Sequence, residues 1–584
     1  MFSRLRIYYS SIIILTAIFI ILLTILFKLQ IIEGTEYTLI AEKNYVRIKT
    51  VLPLRGEIYD CRYRPIAVNK SSFNLYITLG LVKNREKLID FIEANFASES
   101  SEIDKLLHRN RFRLHQEILL IQNVSYEKMV EISEQMNDYP SLVFKPESMR
   151  SYLYNNHFLG YVGKISENEH LQMQNRGYSI NSIIGKTGLE KFYEPILKGE
   201  NGYEVVQVDA SGRSLEFFRH NLTKSPVDGS NLILSLDNEL QQYIQSIFPE
   251  DKNGAVVIMD VRDGGIMAYV SMPEYDPNLF VGTLSSATWN ELINNERNPM
   301  LDRVIHGSYP PGSVYKPVIA SLGLEDSLIT AQTKLADCTG GLQIGDRFFK
   351  CWFEDGHGSL SVTDAMKYSC DVFFYDLSLL ISLERMKEYT RSNHLTVKTG
   401  VDLIGERNGF FPDESWYRSN FGKYVGIIGP KVNLAIGQGE ILVTPLQICA
   451  YYAALANGGK WIRPHLLGKT INSKGTLLFE SESKPLPISK STSDLLDNAL
   501  YVAVNEKYGT GVASSIKNFR VCGKTGSSEN HMGEDTHAWF SGYASWEEPE
   551  IAFVVFLENA GHGGSVAAPL ARKILLFYNQ IRST

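Results

Sequence analysis

From Tyr8 to Phe27 the sequence carries no charged side chain and is dominated by Ile, Leu and Phe. A run of that length is enough to cross a bilayer as one helix. Arg4 and Arg6 precede it, and no acidic residue appears before Glu33. The positive-inside rule then keeps the N-terminus in the cytoplasm and sends everything after Lys28 across the membrane. A removable signal peptide would have a shorter apolar core ending in small residues. Here Phe27-Lys28-Leu29-Gln30 follows, so residues 1–30 are read as a cytoplasmic tip and a retained anchor. A buried globular helix would usually show a polar stripe, and this one has none.

At 584 residues the chain is too long for one core and suggests two or three domains. The balance of 58 basic against 65 acidic residues argues against nucleic acid as a partner. Residues from about 31 to 225 mix strand-like runs such as Asn74-Leu-Tyr-Ile-Thr78 with amphipathic stretches at Lys87–Glu93 and Met129–Met136. No catalytic constellation is visible there. Lys224-Ser-Pro-Val-Asp-Gly-Ser230 has linker composition.

A second domain over 230–584 follows. Its strand-like runs Ala255–Met259 and Ile266–Ser271 suggest a hairpin around Asp263-Gly264-Gly265. Helical segments come next, then strands near Phe519–Cys522 and Ile551–Leu557, and a last helix from Pro569 to Tyr578. Strands at both ends with helices between predict an α+β fold, one antiparallel sheet flanked by helices.

Three short signals lie in order within that domain: Ser313-Val-Tyr-Lys316, Ser369-Cys-Asp371 and Lys524-Thr-Gly526. The first pattern alone is weak, because Ser125–Lys128 and Ser514–Lys517 also fit it. Its setting raises it. Tyr309-Pro-Pro-Gly312 is a turn that puts Ser313 where a helix begins, with Lys316 on the same face. A serine hydroxyl needs a base, and a lysine acts as one only when neutral, which burial or a second cation such as Lys524 promotes. The helix N-terminus also directs N–H groups to where an oxyanion would form.

These three motifs are those of penicillin-binding proteins and serine β-lactamases, and over nearly its whole length the chain resembles the class B penicillin-binding proteins, most closely the elongation type, penicillin-binding protein 2. Arg55-Gly-Glu-Ile-Tyr-Asp60, Gly185-Lys-Thr-Gly-Leu-Glu190, Gly254–Asp260, Gly437-Gln-Gly439, Thr444-Pro-Leu-Gln447, His537-Ala-Trp-Phe540 and Gly563–Pro569 support it. Tyr-Pro-Pro-Gly before Ser313, Gly356-His-Gly358 and Ser-x-Asp in place of Ser-x-Asn favour elongation over the division type. Where the family usually continues Asp60 with Arg-Asn-Gly, this chain has Cys61-Arg62-Tyr63, which weakens the expectation of a tight glycine turn.

The resemblance implies a bacterial inner-membrane protein with one membrane helix, an elongated pedestal or dimerisation-type domain over 31–225, and a periplasmic D,D-transpeptidase domain over 230–584. The family's chemistry then assigns roles. Ser313 attacks the D-Ala-D-Ala carbonyl of a stem peptide and Lys316 takes its proton. Ser369 bridges Lys316 and Lys524 and passes a proton to the leaving amine. Asp371 shares this site, where a structural and a catalytic role are both open to it. Thr525, Gly526 and Ser527, on an edge strand, hold the donor's terminal carboxylate. The N–H groups of Ser313 and Ser527 form the oxyanion hole, worth roughly 3 kcal/mol per donor. β-Lactams acylate the same serine. Arg303 and Tyr309 are read as surface support rather than groove lining. No cofactor is needed for catalysis. A D,D-carboxypeptidase shares the chemistry, but water resolves its acyl-enzyme. The implied partners are a SEDS-family glycosyltransferase and scaffold proteins of the rod complex.

Six cysteines are too few for a disulfide-built fold. Cys449 lies in an apolar helix and is read as core. Cys338, Cys351 and Cys370 bracket His357, and three thiolates with one imidazole form a known tetrahedral zinc set. A structural zinc, a Cys338–Cys351 disulfide and unlinked buried thiols are the three readings of this segment.

Overall fold

In the computed structural model the uncharged N-terminal stretch is one helix, Phe2–Phe27, continued by a π-helical turn over Lys28–Ile32. Residues Leu5–Ile32 are exposed throughout and, by length and composition, apolar enough to cross a membrane. The structure describes residues 2–37, 46–96, 100–114, 116–179, 182–208, 214–215, 223–282, 284–423, 425–473, 475–530, 535–545 and 548–582.

The chain divides into two units that are discontinuous in sequence. One comprises Met1–Leu54, Ser71–Met149 and Gly199–Asp228; the other comprises Arg55–Lys70, Arg150–Lys198 and Gly229–Thr584. The sequence reading placed a single boundary between 31–225 and 230–584. The difference comes from two excursions of the N-terminal half into the catalytic unit, tied to its remainder by the parallel pairing of Ile58 with Leu232 and by the Tyr193 hydroxyl on Asp402, and to each other by buried charge. Glu190, fully buried, accepts from Arg150 Nε at 2.7 Å and from Arg55 Nε at 2.6 Å. Arg55 also pairs with Glu194 at 2.7 Å. Buried charges are tolerated only when paired in this way, which explains why Arg55-Gly-Glu and Gly-Leu-Glu190 belong to one network.

In the first unit, Val46–Val51 pairs antiparallel with Gly202–Val208. Val227 and Lys224, read as linker, bridge to Glu200 and Tyr203. The two amphipathic stretches are the helices Arg85–Asn95 and Tyr126–Ser133, started by the N-caps Asn84 and Ser125. Leu88, Phe91, Ile92 and Ile132 from those helices join Leu75 and Ile77 of the strand Pro65–Thr78 in a small core.

Asp60 organises a turn in the second unit. Its Oδ1 accepts from the N–H groups of Arg62 and Arg64, and its Oδ2 pairs with Arg64 Nε at 2.6 Å. Tyr63 takes the left-handed conformation, φ 60°, at the position where the resemblance led to the expectation of a glycine. The tight turn is therefore kept without glycine, against roughly 1–2 kcal/mol of backbone strain.

Five antiparallel strands form the catalytic sheet: β1 (Gly254–Asp260), β2 (Ile266–Met272), β3 (Arg520–Ser528), β4 (His537–Ser545) and β5 (Ile551–Leu557), in the order β2-β1-β5-β4-β3. Both faces are covered, so the strands read as continuous apolar runs. Val256, Ile258, Phe553 and Val555 face one core with the helices Asn238–Ile247 and Ala567–Arg582. Val257, Met259, Val554 and Phe556 face the other, with Lys316–Glu325 and Pro445–Ala456. Cys449 is fully buried in that second core, as expected. Strand β3 pairs with β4 alone and is the edge strand on that side of the sheet.

Candidate active site

Tyr309 bridges to Val443, Pro310 accepts from the Trp539 indole at 3.1 Å, and Gly312 N–H donates to the Gly437 carbonyl at 2.8 Å. These bonds fix the turn ahead of Ser313. The serine then enters a 3₁₀ turn, Gly312–Tyr315, and the α-helix proper starts at Lys316. With three residues per turn, Ser313 and Lys316 lie one above the other. Tyr452 OH donates to the Val314 carbonyl at 2.9 Å from beneath. The two other S-x-x-K matches have different explanations. Ser125 is an N-cap that accepts from Lys128 N–H, and Ser514 is buried and donates to the Gly511 carbonyl.

Lys316 is fully buried, and its Nζ donates to three acceptors: Asp371 Oδ1 at 2.7 Å, the Ser369 carbonyl at 2.7 Å and Ser369 Oγ at 3.2 Å. Ser369 sits between the helices Val362–Lys367 and Asp371–Leu379 in the left-handed region, φ 54°. A non-glycine residue held there costs of order 1–3 kcal/mol. The conformation lets its carbonyl and hydroxyl reach the same ammonium. Asp371 Oδ2 accepts from the Trp352 N–H at 3.1 Å, so the carboxylate ties Lys316 to the segment after Cys351. Trp352 was not singled out in the sequence, and a backbone donor leaves no signal in side-chain identity.

Lys524 is also fully buried, on β3, with Nζ donating to the Thr525 carbonyl at 3.2 Å. Burial pushes this amine well below the ordinary lysine range; the nearby Lys316 charge adds to the effect and Asp371 opposes it. The structure therefore differs from the expected electrostatics: Lys316 is the ion-paired lysine, and Lys524 is the one driven towards neutrality. Of the expected Ser369 bridge, the Lys316 side is formed.

Thr525, Gly526 and Ser527 lie on the edge strand as expected. Ser527 Oγ accepts from Gly563 N–H at 3.2 Å, and the Ser527 carbonyl accepts from Gln438 Nε2 at 3.0 Å. Gly312 packs on the Ser527 peptide so tightly that a Cβ would lie 2.8 Å from its carbonyl oxygen. Arg303 and Tyr309 are buried rather than superficial; both bond to Glu558, at 2.9 and 2.6 Å, beneath the nucleophile turn.

Cys338, Cys351, His357 and Cys370 converge, with all four donor atoms within 4.8 Å of one another. His357 Nδ1 is 3.6 Å from both the Cys338 and the Cys351 sulfur. Tetrahedral zinc, with bonds of about 2.3 Å to sulfur and 2.0–2.1 Å to nitrogen, separates its ligands by roughly that distance. None of the six cysteines is joined in a disulfide, so the Cys338–Cys351 pairing is not formed. A hydrogen bond from Cys370 holds the Cys351 thiol far below its usual range, despite burial, and His357 adds to this. The same bond pushes Cys370 up. The converging set of three sulfurs and one imidazole nitrogen fits a metal.

Residues 254–576 match the family model for the penicillin binding protein transpeptidase domain, and residues 50–234 that for the penicillin-binding protein dimerisation domain. The chain is 31% identical to the peptidoglycan D,D-transpeptidase MrdA of Haemophilus influenzae, over 96% of this chain and 89% of that protein. It is 30% identical to MrdA of Escherichia coli K12, over 95% and 91%. Penicillin-binding protein 2 from Helicobacter pylori, solved in complex with MreC, superposes with a TM-score of 0.78 at 29% identity, covering 91% of this chain and 99% of that one. Pseudomonas aeruginosa PBP2 in complex with WCK 5153 gives 0.69 at 28%, covering 91% and 96%. The chain belongs to the penicillin-binding proteins, as a peptidoglycan D,D-transpeptidase of the elongation type.

Proposed function

We propose that Ser313 is the residue acylated by the D-Ala-D-Ala donor, with the buried lysine pair as its proton acceptor. The observation that carries this reading is the Lys316–Ser369–Asp371 contact set, centred on a fully buried ammonium one 3₁₀ turn from Ser313. The ion-paired Lys316 first passes a proton through Ser369 to Lys524, which burial and its neighbour's charge favour neutral, and the Lys316 amine so freed takes the Ser313 proton as Oγ attacks the carbonyl. Asp371 holds the resulting ammonium in place. Ser369 relays the proton on Lys524 to the departing D-Ala amine. The amine of a neighbouring stem peptide then attacks the ester and gives its N–H proton to Lys524 through Ser369, while Ser313 leaves with the proton held by Lys316. Thr525 and Ser527 hold the donor carboxylate. The Ser313 and Ser527 N–H groups, the first of them in an opening turn with no intrahelical acceptor, bind the developing oxyanion. Gly526 lets the edge strand approach the nucleophile turn.

Fluorescent penicillin should label the wild-type chain and leave Ser313→Ala unlabelled, with the adduct mapped by mass spectrometry. Labelling that survives in the variant moves the nucleophile elsewhere.

The Arg4 and Arg6 flank supports a cytoplasmic N-terminus, with the chain beyond Lys28 in the periplasm. The H. pylori relative is described in complex with MreC, and a further structural relative, at TM-score 0.72, as part of a peptidoglycan synthase complex. These support a rod-complex scaffold and a SEDS-family glycosyltransferase as partners here. Cys338, Cys351, His357 and Cys370 would hold a structural zinc, which when bound would replace the proton shared by Cys351 and Cys370. Its anchorage of Cys370 would steady the neighbouring Ser369 and Asp371. Purified protein should contain about one zinc per chain, and Cys351→Ser should lose most of it; metal-free wild-type protein removes the assignment.

A further inference from the structure

We infer that Gln438 is a positioning residue for acyl transfer, the side chain that holds the oxyanion end of the edge strand against the nucleophile turn. The inference rests on the reading of Ser313 as the acylated residue.

Gly437-Gln438-Gly439 ends the helix Ile428–Ala435. Gly437 N–H donates to the Leu434 carbonyl at 3.0 Å, and Gln438 N–H to the Asn433 carbonyl at 3.0 Å. This is a Schellman cap, and Gly437 supplies its left-handed residue at φ 75°. The cap fixes the backbone of Gln438 and points its carboxamide at β3. There it is bidentate: Nε2 donates to the Ser527 carbonyl at 3.0 Å, and Oε1 accepts from Glu529 N–H at 3.2 Å. An edge strand leaves just such groups unpaired, and the primary amide meets both at once, as a backbone amide of an added strand would.

The consequence concerns the Ser527 N–H. Across an antiparallel pair, successive residues alternate between bonding to the neighbour and pointing away from it. The Ser527 carbonyl is taken by Gln438, on the side away from β4, so the Ser527 N–H points to that same open side. Gly312, directly before Ser313, lies against this peptide: a Cβ there would be 3.2 Å from the Ser527 nitrogen and 2.8 Å from its oxygen. The Gly437 carbonyl meanwhile accepts from Gly312 N–H at 2.8 Å. One capped loop thus grips both partners of the reaction site, the nucleophile turn through its backbone and the oxyanion strand through the Gln438 side chain. Acylation depends on the spacing of those two elements, and misplacement of about 1 Å costs as much as 100-fold.

The test uses the full-length chain in detergent and a fluorescent penicillin, with rates taken to saturation so that the limiting acylation rate and the pre-covalent dissociation constant are separated. Gln438→Ala removes the grip. Gln438→Met keeps the length and apolar stem but neither hydrogen bond. Both should lower the limiting rate roughly 10- to 100-fold, with the dissociation constant within about three-fold of wild type and thermal midpoints close to it. A limiting rate within about three-fold of wild type in Gln438→Met overturns the inference, as does a loss confined to the dissociation constant. If Gln438→Ala fails to fold, the methionine variant decides. Wild type and Ser313→Ala run alongside: an unlabelled wild type would count against the nucleophile assignment, whereas a labelled wild type with an equally fast Gln438→Met counts against Gln438 alone.

Discussion

Replacing Gly437 by alanine separates two effects that a glycine on this loop combines. The first is conformational: at φ 75° any side chain strains the backbone by about 1–2 kcal/mol. The second is spatial: a Cβ at Gly437 would lie 2.2 Å from the Gly312 carbonyl oxygen and 2.9 Å from the Gly312 nitrogen. Relief to ordinary contact needs a shift of about 1 Å, and the atoms that must give way belong to the turn presenting Ser313. Gly458 supplies the control, with φ 63° and no heavy atom within 4 Å of an added Cβ. Gly458→Ala therefore carries the strain without the clash. Gly458→Ala should lose about 1–2 kcal/mol of stability, a fall of a few degrees in the thermal midpoint, and Gly437→Ala at least as much. Only Gly437→Ala should slow acylation, by roughly 100-fold if the turn moves by the full distance. The assay is the initial rate of fluorescent-penicillin labelling at several concentrations, normalised to folded protein. Labelling of Gly437→Ala within about three-fold of Gly458→Ala would refute the reasoning, because the nucleophile turn would then tolerate the displacement.

Other outcomes follow from the buried charges. Glu190→Gln removes the carboxylate from the buried Arg150, while Arg55 keeps Glu194, so it should cost about 3–5 kcal/mol in denaturant unfolding; a loss below about 1 kcal/mol would show the network to be solvent-relaxed. Lys524 gives a pH signature. Its folded value lies well below 10.5, so between the two the unfolded chain binds the extra proton, and stability should rise with pH through that window and level off above 10.5. Lys524→Met should flatten this alkaline rise in thermal melts, and an unchanged slope would assign the rise to another group.

Much of the architecture is local in origin and was readable in advance. The uncharged stretch Tyr8–Phe27 is a helix. The continuous apolar runs at Gly254–Asp260 and Ile551–Leu557 are sheet strands covered on both faces, and Lys524-Thr-Gly526 lies on the edge strand. Pro-Pro-Gly ahead of Ser313 makes the turn it suggests, although the first coil is 3₁₀. The four metal-type donors converge as their spacing allowed. Each of these depends on side-chain periodicity or turn chemistry within a short window, and such information survives in one dimension.

What the tertiary structure decided concerns pairs far apart in the chain and groups whose state depends on their surroundings. Asp371 could not be assigned between catalytic and structural roles until its two oxygens were seen on Lys316 and on a backbone N–H. Which lysine is depressed depends on how burial and the neighbouring charges are arranged. Arg55, Arg150 and Glu190 join two segments of the N-terminal half that both belong to the catalytic unit. Gln438 was visible only as part of a family stretch, since its partners lie on a strand some 90 residues away. Residue type sets what a group can donate, accept or bury; only the folded chain sets the dielectric around it and the partner opposite it.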